Sequence, residues 1–144
     1  PSSSSPGAGM VNRGLAQFTI PEPGLEEDGH LTEVRALDIA TGREAWRYSQ
    51  RAPNMGSTLA TAGNVVFFGD LNRRLRAFDA ETGTVLWETI LGSQITGYPV
   101  TYAVGGRQYL TVPVGGVDNR LATYTPELEA PNGSNMLVTF ALPN

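Results

Sequence analysis

The sequence predicts an all-β fold, and three observations lead to that prediction. The chain of 144 residues contains 17 glycines and 10 prolines, which is a turn-rich composition. Short runs of β-branched and aromatic residues alternate with clusters of Gly, Asn and Asp, the residues that favour tight turns. Apolar residues do not recur at helical spacing over any useful length. Together these features favour antiparallel strands joined by short turns.

A twelve-residue repeat indicates how the strands are grouped. RALDIATGREAW starts at Arg35 and RAFDAETGTVLW starts at Arg76, 41 residues later, and the two copies share six identical positions. A period near forty residues is typical of β-propellers, in which each repeat is one four-stranded blade. The sequence therefore predicts about two and a half four-stranded antiparallel blades that belong to a larger propeller.

An N-terminal segment, residues 1–30, precedes the repeats, and we expect it to be flexible or irregular. Its opening letters, PSSSSPGAG, are a low-complexity stretch that cannot form a packed core. They fit a linker, a processed end or the cut edge of a longer chain.

The blades occupy residues 31–144 in this interpretation. Residues 31–50 supply two strands, which we expect to form the outer half of one blade. Residues 57–91 supply the four strands of a full blade, and residues 98–143 supply most of the last blade. The Gly105–Gly106 pair marks the tip of a hairpin within that last blade.

The D-x-x-T-G core of each repeat predicts a tight turn. The carboxylates of Asp38 and Asp79 end a strand, where they can accept backbone N–H bonds across the turn. Gly42 and Gly83 supply a positive φ that a side chain would penalise.

A tryptophan follows each of these glycines by four residues, at Trp46 and Trp87. A buried indole covers roughly 150–250 Å² and keeps one N–H that needs an acceptor. We therefore interpret each tryptophan as a docking plug between adjacent blades, with a structural role rather than a catalytic one.

Propeller blades bury their faces against neighbouring blades, and closed rings usually need about four to eight of them. Two and a half blades leave an apolar sheet face at each end and unpaired strand edges. We therefore expect the chain to be a fragment of a longer protein, or several copies or a partner to complete the ring.

Composition narrows the possible functions. A net charge of −4 argues against a nucleic-acid partner, which would favour a basic surface. The absence of cysteine excludes disulfides, thiol catalysis and Cys-ligated zinc. No apolar run approaches the roughly 18 residues of a membrane helix, so we expect no membrane span. Because no nucleophile–base pair, P-loop or zinc spacing occurs, we assign no catalytic residue and no metal ligand.

The repeats and the segments around them resemble the quinoprotein dehydrogenases, eight-bladed propellers that bind pyrroloquinoline quinone (PQQ). The resemblance covers residues 31–143, in which both repeats match the tryptophan-docking motifs of the family. It extends through GSTLATAGNVVFFGDLNRRLRAFDAETGTVLW, GSQITGYPVTYAVGGRQYLTVPVGG and the terminal NGSNMLVTFALP. These segments are similar to the C-terminal portion of such an enzyme, about a quarter of its length.

The resemblance implies a function for the complete propeller. An alcohol or a sugar would be oxidised by passing hydride to PQQ, which is held with Ca²⁺ or a lanthanide. Electrons would then pass to a cytochrome c-type acceptor in the periplasm. The remaining blades, in the same parent chain or in other subunits, would be the main partners. The family's metal ligands, catalytic base and paired cysteines belong to blades absent from this sequence, so we expect the chain alone to be inactive.

Two stretches match the family's loops that face the propeller axis. NMGST, residues 54–58, is similar to a segment in which Trp or Asn approaches the quinone, and VGGV, residues 114–117, is similar to a GGW loop. Met55 and Val117 stand where the family has aromatic residues. A turn Asn and a packing Met are the structural alternative at the first stretch. The resemblance assigns cofactor binding to Asn54, Met55, Gly115 and Gly116.

The other polar candidates have structural explanations. We expect Asp70 and Asp118 to be turn residues rather than bases, and Arg73–Arg74 to be a hairpin tip. The acidic run at residues 23–30, which holds the one histidine, fits a solvated loop better than a metal site.

Two other functional hypotheses remain open. One is a scaffold propeller without a cofactor, of the outer-membrane assembly type, which the missing aromatic residues would favour. The other is self-assembly, in which three or four copies close a ring.

Overall fold

The computed structural model describes residues 29–116, 124–128 and 135–141, and the described residues form nine strands. Every strand pairing among them is antiparallel. The prediction of an all-β fold of antiparallel sheets is therefore confirmed. The strands are β1 (Thr32–Leu37), β2 (Glu44–Gln50), β3 (Thr58–Ala60), β4 (Val65–Gly69), β5 (Arg74–Asp79), β6 (Val85–Ile90), β7 (Val100–Val104), β8 (Arg107–Val114) and β9 (Met136–Ala141).

These strands form three sheets in chain order. The first sheet contains β1 and β2, the second contains β3 to β6, and the third contains β7 to β9. Each strand pairs with the next one along the chain, so every sheet is a meander without crossovers. Within the described part of the chain, no helix has the length and apolar character needed to cross a membrane.

The β1–β2 and β5–β6 hairpins share one design. Ala36 pairs with Trp46 in the first hairpin, and Ala77 pairs with Trp87 in the second. In both hairpins the register shifts immediately after that alanine, which indicates a β-bulge at equivalent positions. The repeated letters of the sequence therefore encode repeated backbone geometry.

The predicted turns have the same hydrogen bonds in both copies. Oδ1 of Asp38 accepts the N–H of Thr41 at 2.9 Å, and Oδ1 of Asp79 accepts the N–H of Thr82 at 2.8 Å. These backbone hydrogen bonds, helped by others from the same turns, hold the pKa of both aspartates below its ordinary value. Gly42 and Gly83 follow with φ of 69° and 71°, the left-handed conformation that favours glycine.

Two apolar clusters hold the three sheets together, one on each face of the second sheet. Successive residues of a strand point to opposite faces, so β4 and β5 contribute side chains to both clusters. The cluster toward the first sheet contains Val34, Phe68 and Phe78, with Trp46, Tyr48 and Val66 packed against it. The cluster toward the third sheet contains Leu75, Leu91, Ile95, Leu110, Val112 and Val114.

The outward face of the first sheet is charged rather than apolar. Glu33 and Arg35 alternate with the buried Val34, so they point away from the second sheet. Arg47 donates to Glu33 at 3.1 Å and to Glu44 at 2.9 Å, which forms a cross-strand ion-pair network. The expectation of an apolar face at this end is therefore wrong, because the outward positions of β1 and β2 hold charged side chains.

The outward face of the third sheet is mostly apolar, as expected, although a hydrogen-bonded pair of threonines lies within it. Tyr102 stacks on Tyr109 with ring centroids 5.4 Å apart. Val104 and Leu137, on the same face, are 61% and 71% exposed. The two ends of the stack of sheets therefore differ in chemistry, and one of them presents an extended apolar surface to its surroundings.

Candidate functional site

Asn54 lies in the connection between β2 and β3, and β4 fixes its side chain. Its Nδ2 donates to the carbonyl oxygen of Gly69 at 2.7 Å, at the end of β4. Among the described residues, this is the one hydrogen bond of the Asn54 side chain. Its Oδ1 is therefore a hydrogen-bond acceptor held in one orientation.

The backbone on either side of Asn54 is also held in place. The carbonyl oxygen of Pro53 accepts the N–H of Leu71 at 3.0 Å. The carbonyl oxygen of Ala52 accepts Nε2 of Gln50 at 2.9 Å. Met55, next to Asn54, is half-buried in the same connection. Asn54 and Met55 thus lie on a fixed strand-end loop rather than on a free turn.

Gly115 and Gly116 follow β8 and have φ of 127° and 78°. Gly116 donates its N–H to Oδ1 of Asn135 at 2.7 Å, and Gly115 donates its N–H to the carbonyl oxygen of Gln94 at 2.8 Å. A Cβ on Gly115 would lie 2.2 Å from Asn135 Oδ1, so a side chain does not fit there. Both positions require glycine because of their backbone conformation.

The loop at residues 94–97 joins these two predicted stretches. A Cβ on Gly56 would lie 2.8 Å from the carbonyl oxygen of Gly97, and a Cβ on Gly97 would lie 2.6 Å from Pro113. On the other side, Oγ1 of Thr96 donates to the carbonyl oxygen of Gly115 at 2.7 Å. The loop at residues 94–97 therefore contacts Gly56, which follows Met55 in the chain, on one side and Gly115 on the other.

Sequence reasoning assigned no role to this loop. It lies between β6 and β7, in a stretch that contributed to the family resemblance but contains no residue type with obvious chemistry. Its glycine and its small polar side chains are the signal for close approach of neighbouring backbones.

Asp70 combines the predicted turn role with a buried ion pair. Its Oδ1 accepts the N–H of Arg74 at 2.9 Å across the β4–β5 turn. Its Oδ2 accepts Nη1 of Arg76 at 2.8 Å, and the Asp70 side chain is fully buried. Arg73, in the same turn, has φ of 66°, which fits the predicted hairpin tip.

Several other positions that the sequence analysis singled out lie outside the described residues. They are Val117, Asp118 and residues 23–28. In the described ranges, no group of three or more His, Asp or Glu side chains could hold a metal ion. The described part of the candidate site consists of the side-chain acceptor of Asn54 and the backbone of two glycines with positive φ.

Comparisons with known proteins identify relatives of the chain. Residues 49–110 match the PQQ family described as the β-propeller domain of glucose, ethanol and alcohol dehydrogenases. Quinoprotein alcohol dehydrogenase PedH of Pseudomonas putida is 40% identical over 132 residues, which cover 89% of this chain and 22% of PedH. The 1-butanol dehydrogenase (cytochrome c) of Thauera butanivorans is 39% identical over 112 residues, which cover 76% of this chain and 16% of that enzyme.

A solved structure, the europium-containing methanol dehydrogenase, superposes with a TM-score of 0.68 at 26% identity. The match covers 81% of this chain and 24% of that protein, so the chain spans less than a quarter of each of these three relatives. The resemblance seen in the sequence is thus confirmed: residues 49–110 match a PQQ-family β-propeller domain, and the chain is similar to a part of the quinoprotein alcohol and methanol dehydrogenases.

Proposed function

We propose that the chain forms part of the propeller of a PQQ-dependent dehydrogenase that oxidises an alcohol or a sugar. The observation that carries this proposal is that the PQQ-family match at residues 49–110 includes both Asn54 and Gly69. The carbonyl oxygen of Gly69 accepts the hydrogen bond that orients the Asn54 side chain. The relatives named alcohol and butanol dehydrogenases support the substrate class.

The described residues fit a contact with one edge of the quinone. PQQ is planar and carries carbonyl and carboxylate oxygens together with a ring N–H. Oδ1 of Asn54 can accept a hydrogen bond from such a donor, and Gly116, where a Cβ would come no closer than 3.6 Å to Thr96, has no side chain to block a flat ring. Asn54, Met55, Gly115 and Gly116 would hold and orient the cofactor.

When bound, PQQ with Ca²⁺ or a lanthanide supplies the hydride acceptor and the Lewis acid of the reaction. The related structure that contains europium supports a lanthanide as one choice of metal. This chain's own residues would bind and orient the cofactor, and the metal ligands and the catalytic base would come from other blades.

The three sheets would be consecutive blades of the ring. The first sheet, within residues 31–50, is the outer half of one blade; residues 57–91 form a full blade, and residues 98–143 form the last one. Trp46 supports this arrangement, because its Nε1 donates to the carbonyl oxygen of Ala80 on the second sheet at 2.8 Å. The remaining blades, in the parent chain or in other subunits, would complete the propeller.

A cytochrome c-type protein would accept the electrons, and the complete enzyme would work in the periplasm. The relative named 1-butanol dehydrogenase (cytochrome c) supports the acceptor.

A chimera tests the proposal. The part of PedH that aligns with this chain would be replaced by this chain, and PQQ-dependent alcohol oxidation would be measured with a dye as acceptor. We expect the chimera to bind PQQ and turn over, and the isolated chain to show no turnover. Asn54→Ala should weaken PQQ binding about tenfold, because roughly 1.4 kcal/mol is a typical loss for one hydrogen bond.

Gln108→Ala, at an exposed position of β8, is the matched control and should leave PQQ binding unchanged. A folded chimera that binds no PQQ would contradict the proposal and favour the scaffold hypothesis. Turnover by the isolated chain would contradict its assignment as one part of the enzyme.

A further inference from the structure

We propose that Gln50, Asp70 and Arg76 form a clamp that sets the position of Asn54, so that Gln50 and Arg76 are positioning residues for the cofactor site. This inference rests on the proposed function, because the position of Asn54 matters to catalysis only if Asn54 contacts the quinone. The clamp itself is defined by contacts in this chain alone.

The centre of the clamp is one nitrogen of Arg76. Its Nη1 donates to Oε1 of Gln50 at 2.7 Å and to Oδ2 of Asp70 at 2.8 Å. All three residues are buried, with exposed fractions of 6% for Gln50, 0% for Asp70 and 6% for Arg76. Buried polar groups of this kind are held firmly, because a broken bond would leave a donor or acceptor without water.

Other contacts fix the guanidinium of Arg76 in one orientation. Its Nε pairs with Glu88 at 2.6 Å, and its central carbon lies 5.4 Å from the ring centroid of Tyr48. Burial is the largest influence and opposes the charge, but the hydrogen bond and charge of Asp70, together with the charges of Tyr48 and Glu88, hold the pKa of Arg76 above its ordinary value. Arg76 is therefore a permanent cation with a fixed plane.

The clamp continues into the backbone around Asn54. Gln50 uses its Nε2 to bind the carbonyl oxygen of Ala52, two residues before Asn54. Asp70 lies between the two backbone groups that hold the loop from the other side. These are the carbonyl of Gly69, which accepts Nδ2 of Asn54, and the N–H of Leu71, which donates to Pro53.

The arrangement links two sheets as well as two loops. Gln50 ends β2 of the first sheet, whereas Arg76 lies on β5 of the second. The loop that carries Asn54 begins directly after Gln50, so its position depends on how the first sheet docks on the second. An apolar trio could fill the same space with similar stability, but it would not set hydrogen-bond positions.

Gln50→Leu tests the clamp in the 144-residue chain. It removes both bonds of the glutamine but leaves Arg76 paired with Asp70 and Glu88, so no buried charge is left alone. We expect hydrogen exchange of the Leu71 N–H to become at least tenfold faster, and the Asn54 side-chain amide signals to shift in NMR spectra. The N–H groups within the β4–β5 ladder should keep their protection.

Gln108→Leu is the control for removing a glutamine from an exposed strand position, and it should change neither signal. Arg76→Lys is the second variant, because it keeps the charge for Asp70 but loses the rigid fork that also reaches Gln50. It should move the Asn54 and Leu71 signals in the same direction. Unchanged Leu71 exchange and Asn54 signals in Gln50→Leu would overturn the clamp.

The PedH chimera separates this inference from the proposed function. In that background, Gln50→Leu should weaken PQQ binding about tenfold, whereas Gln108→Leu should not. PQQ affinity unchanged by Gln50→Leu would overturn the positioning role. If the chimera without further change binds no PQQ, the proposed function fails, and the NMR result on the isolated chain still decides whether the clamp exists.

Discussion

The second sheet meets a neighbour on each face, and the two interfaces treat equivalent tryptophans differently. Trp46 donates Nε1 to the carbonyl oxygen of Ala80 at 2.8 Å, and its ring lies so close to Gly83 that a Cβ there would be 2.6 Å away. Trp87 meets Phe140 edge-on, with centroids 5.3 Å apart, and is 39% exposed.

The difference lies in the receiving sheet. Trp46 docks on the D-x-x-T-G turn between β5 and β6, which supplies both a free carbonyl oxygen and a glycine surface. The D-x-x-T-G letters do not recur after Trp87 in the sequence, and within the described residues its ring packs on Phe140 of the third sheet instead. An apolar cleft of about 450 Å³ remains around it, lined among others by Phe67, Leu86 and Phe140. A docking motif therefore needs two parts, a tryptophan and the turn of the next repeat.

The two interfaces also differ in polarity. The first interface contains the buried ion pair of Asp70 and Arg76, whereas the cluster at the second is aliphatic. Substitutions at the two interfaces should therefore cost different amounts of stability.

Arg76→Met should lower the free energy of unfolding by about 3–5 kcal/mol, because it leaves the Asp70 carboxylate buried without its cation. Urea denaturation of the chain would measure the loss. Arg47→Met, on the charged outward face of the first sheet, is the control and should lose less than about 1 kcal/mol. Equal losses in the two variants would show that the first interface does not depend on its buried ion pair.

Trp46→Ala should destabilise the chain more than Trp87→Ala does. We expect about 3–5 kcal/mol for Trp46, as for large core truncations, because ring packing and the bond to Ala80 are both lost. For Trp87 we expect about 1–2 kcal/mol, since its ring is partly exposed already. The repeat alone would predict equal values, so equal denaturation midpoints would contradict the distinction between the two interfaces.

Gly83→Ala and Gly42→Ala separate backbone strain from docking. Both glycines have φ near 70°, but a Cβ would meet Trp46 at Gly83 and open space at Gly42. We expect about 1 kcal/mol from strain at Gly42 and about 2–4 kcal/mol at Gly83, where overpacking is added.

In a Trp46→Ala background, the loss from Gly83→Ala should fall to the value for Gly42→Ala, because the clash is gone. Thermal or urea unfolding of the four variants gives this coupling directly. Strictly additive losses would mean that Gly83 is not part of the receptor for Trp46.

Asp79→Ala should have a small effect that depends on pH. Backbone hydrogen bonds from Thr82 lower the pKa of Asp79 below 3.8, so its stabilising contribution is present above that pH and is lost as the pH falls through the lower native value. The urea midpoint of the variant should therefore lie below that of the native chain at pH 5–7, and the gap should narrow below pH 3.8.

Asp38→Ala is the matched comparison, since its turn has the same hydrogen bonds but receives no indole. Its deficit should be the smaller of the two. A gap between Asp79→Ala and the native chain that persists unchanged at pH 3 would contradict the role of the ionised carboxylate.

Local geometry was predictable from the sequence. The D-x-x-T-G letters specify a turn whose aspartate bonds and glycine conformation depend on residues within that turn, so both copies fold alike. The alternation of short β-branched and aromatic runs with turn residues likewise predicted the all-β class. The burial of Asp70 could not be predicted, because its partner Arg76 and the covering first sheet come from other strands.

The candidate site was predictable only as separate pieces. The family resemblance pointed to the stretches that contain Asn54 and Gly115. Nothing in the letters of either stretch indicates that both stretches contact the loop at residues 94–97. That contact depends on how the second and third sheets pack, which involves residues far apart in the chain.

The repeat, its turns and its strand periodicity follow from the amino-acid sequence, because hydrogen bonds and φ preferences within a few residues specify them. Sheet packing was needed to show which tryptophan donates a hydrogen bond to its neighbour, which outer face is charged and which groups Arg76 contacts. Those outcomes depend on the surface that each side chain meets, and that surface is built by distant segments of the chain.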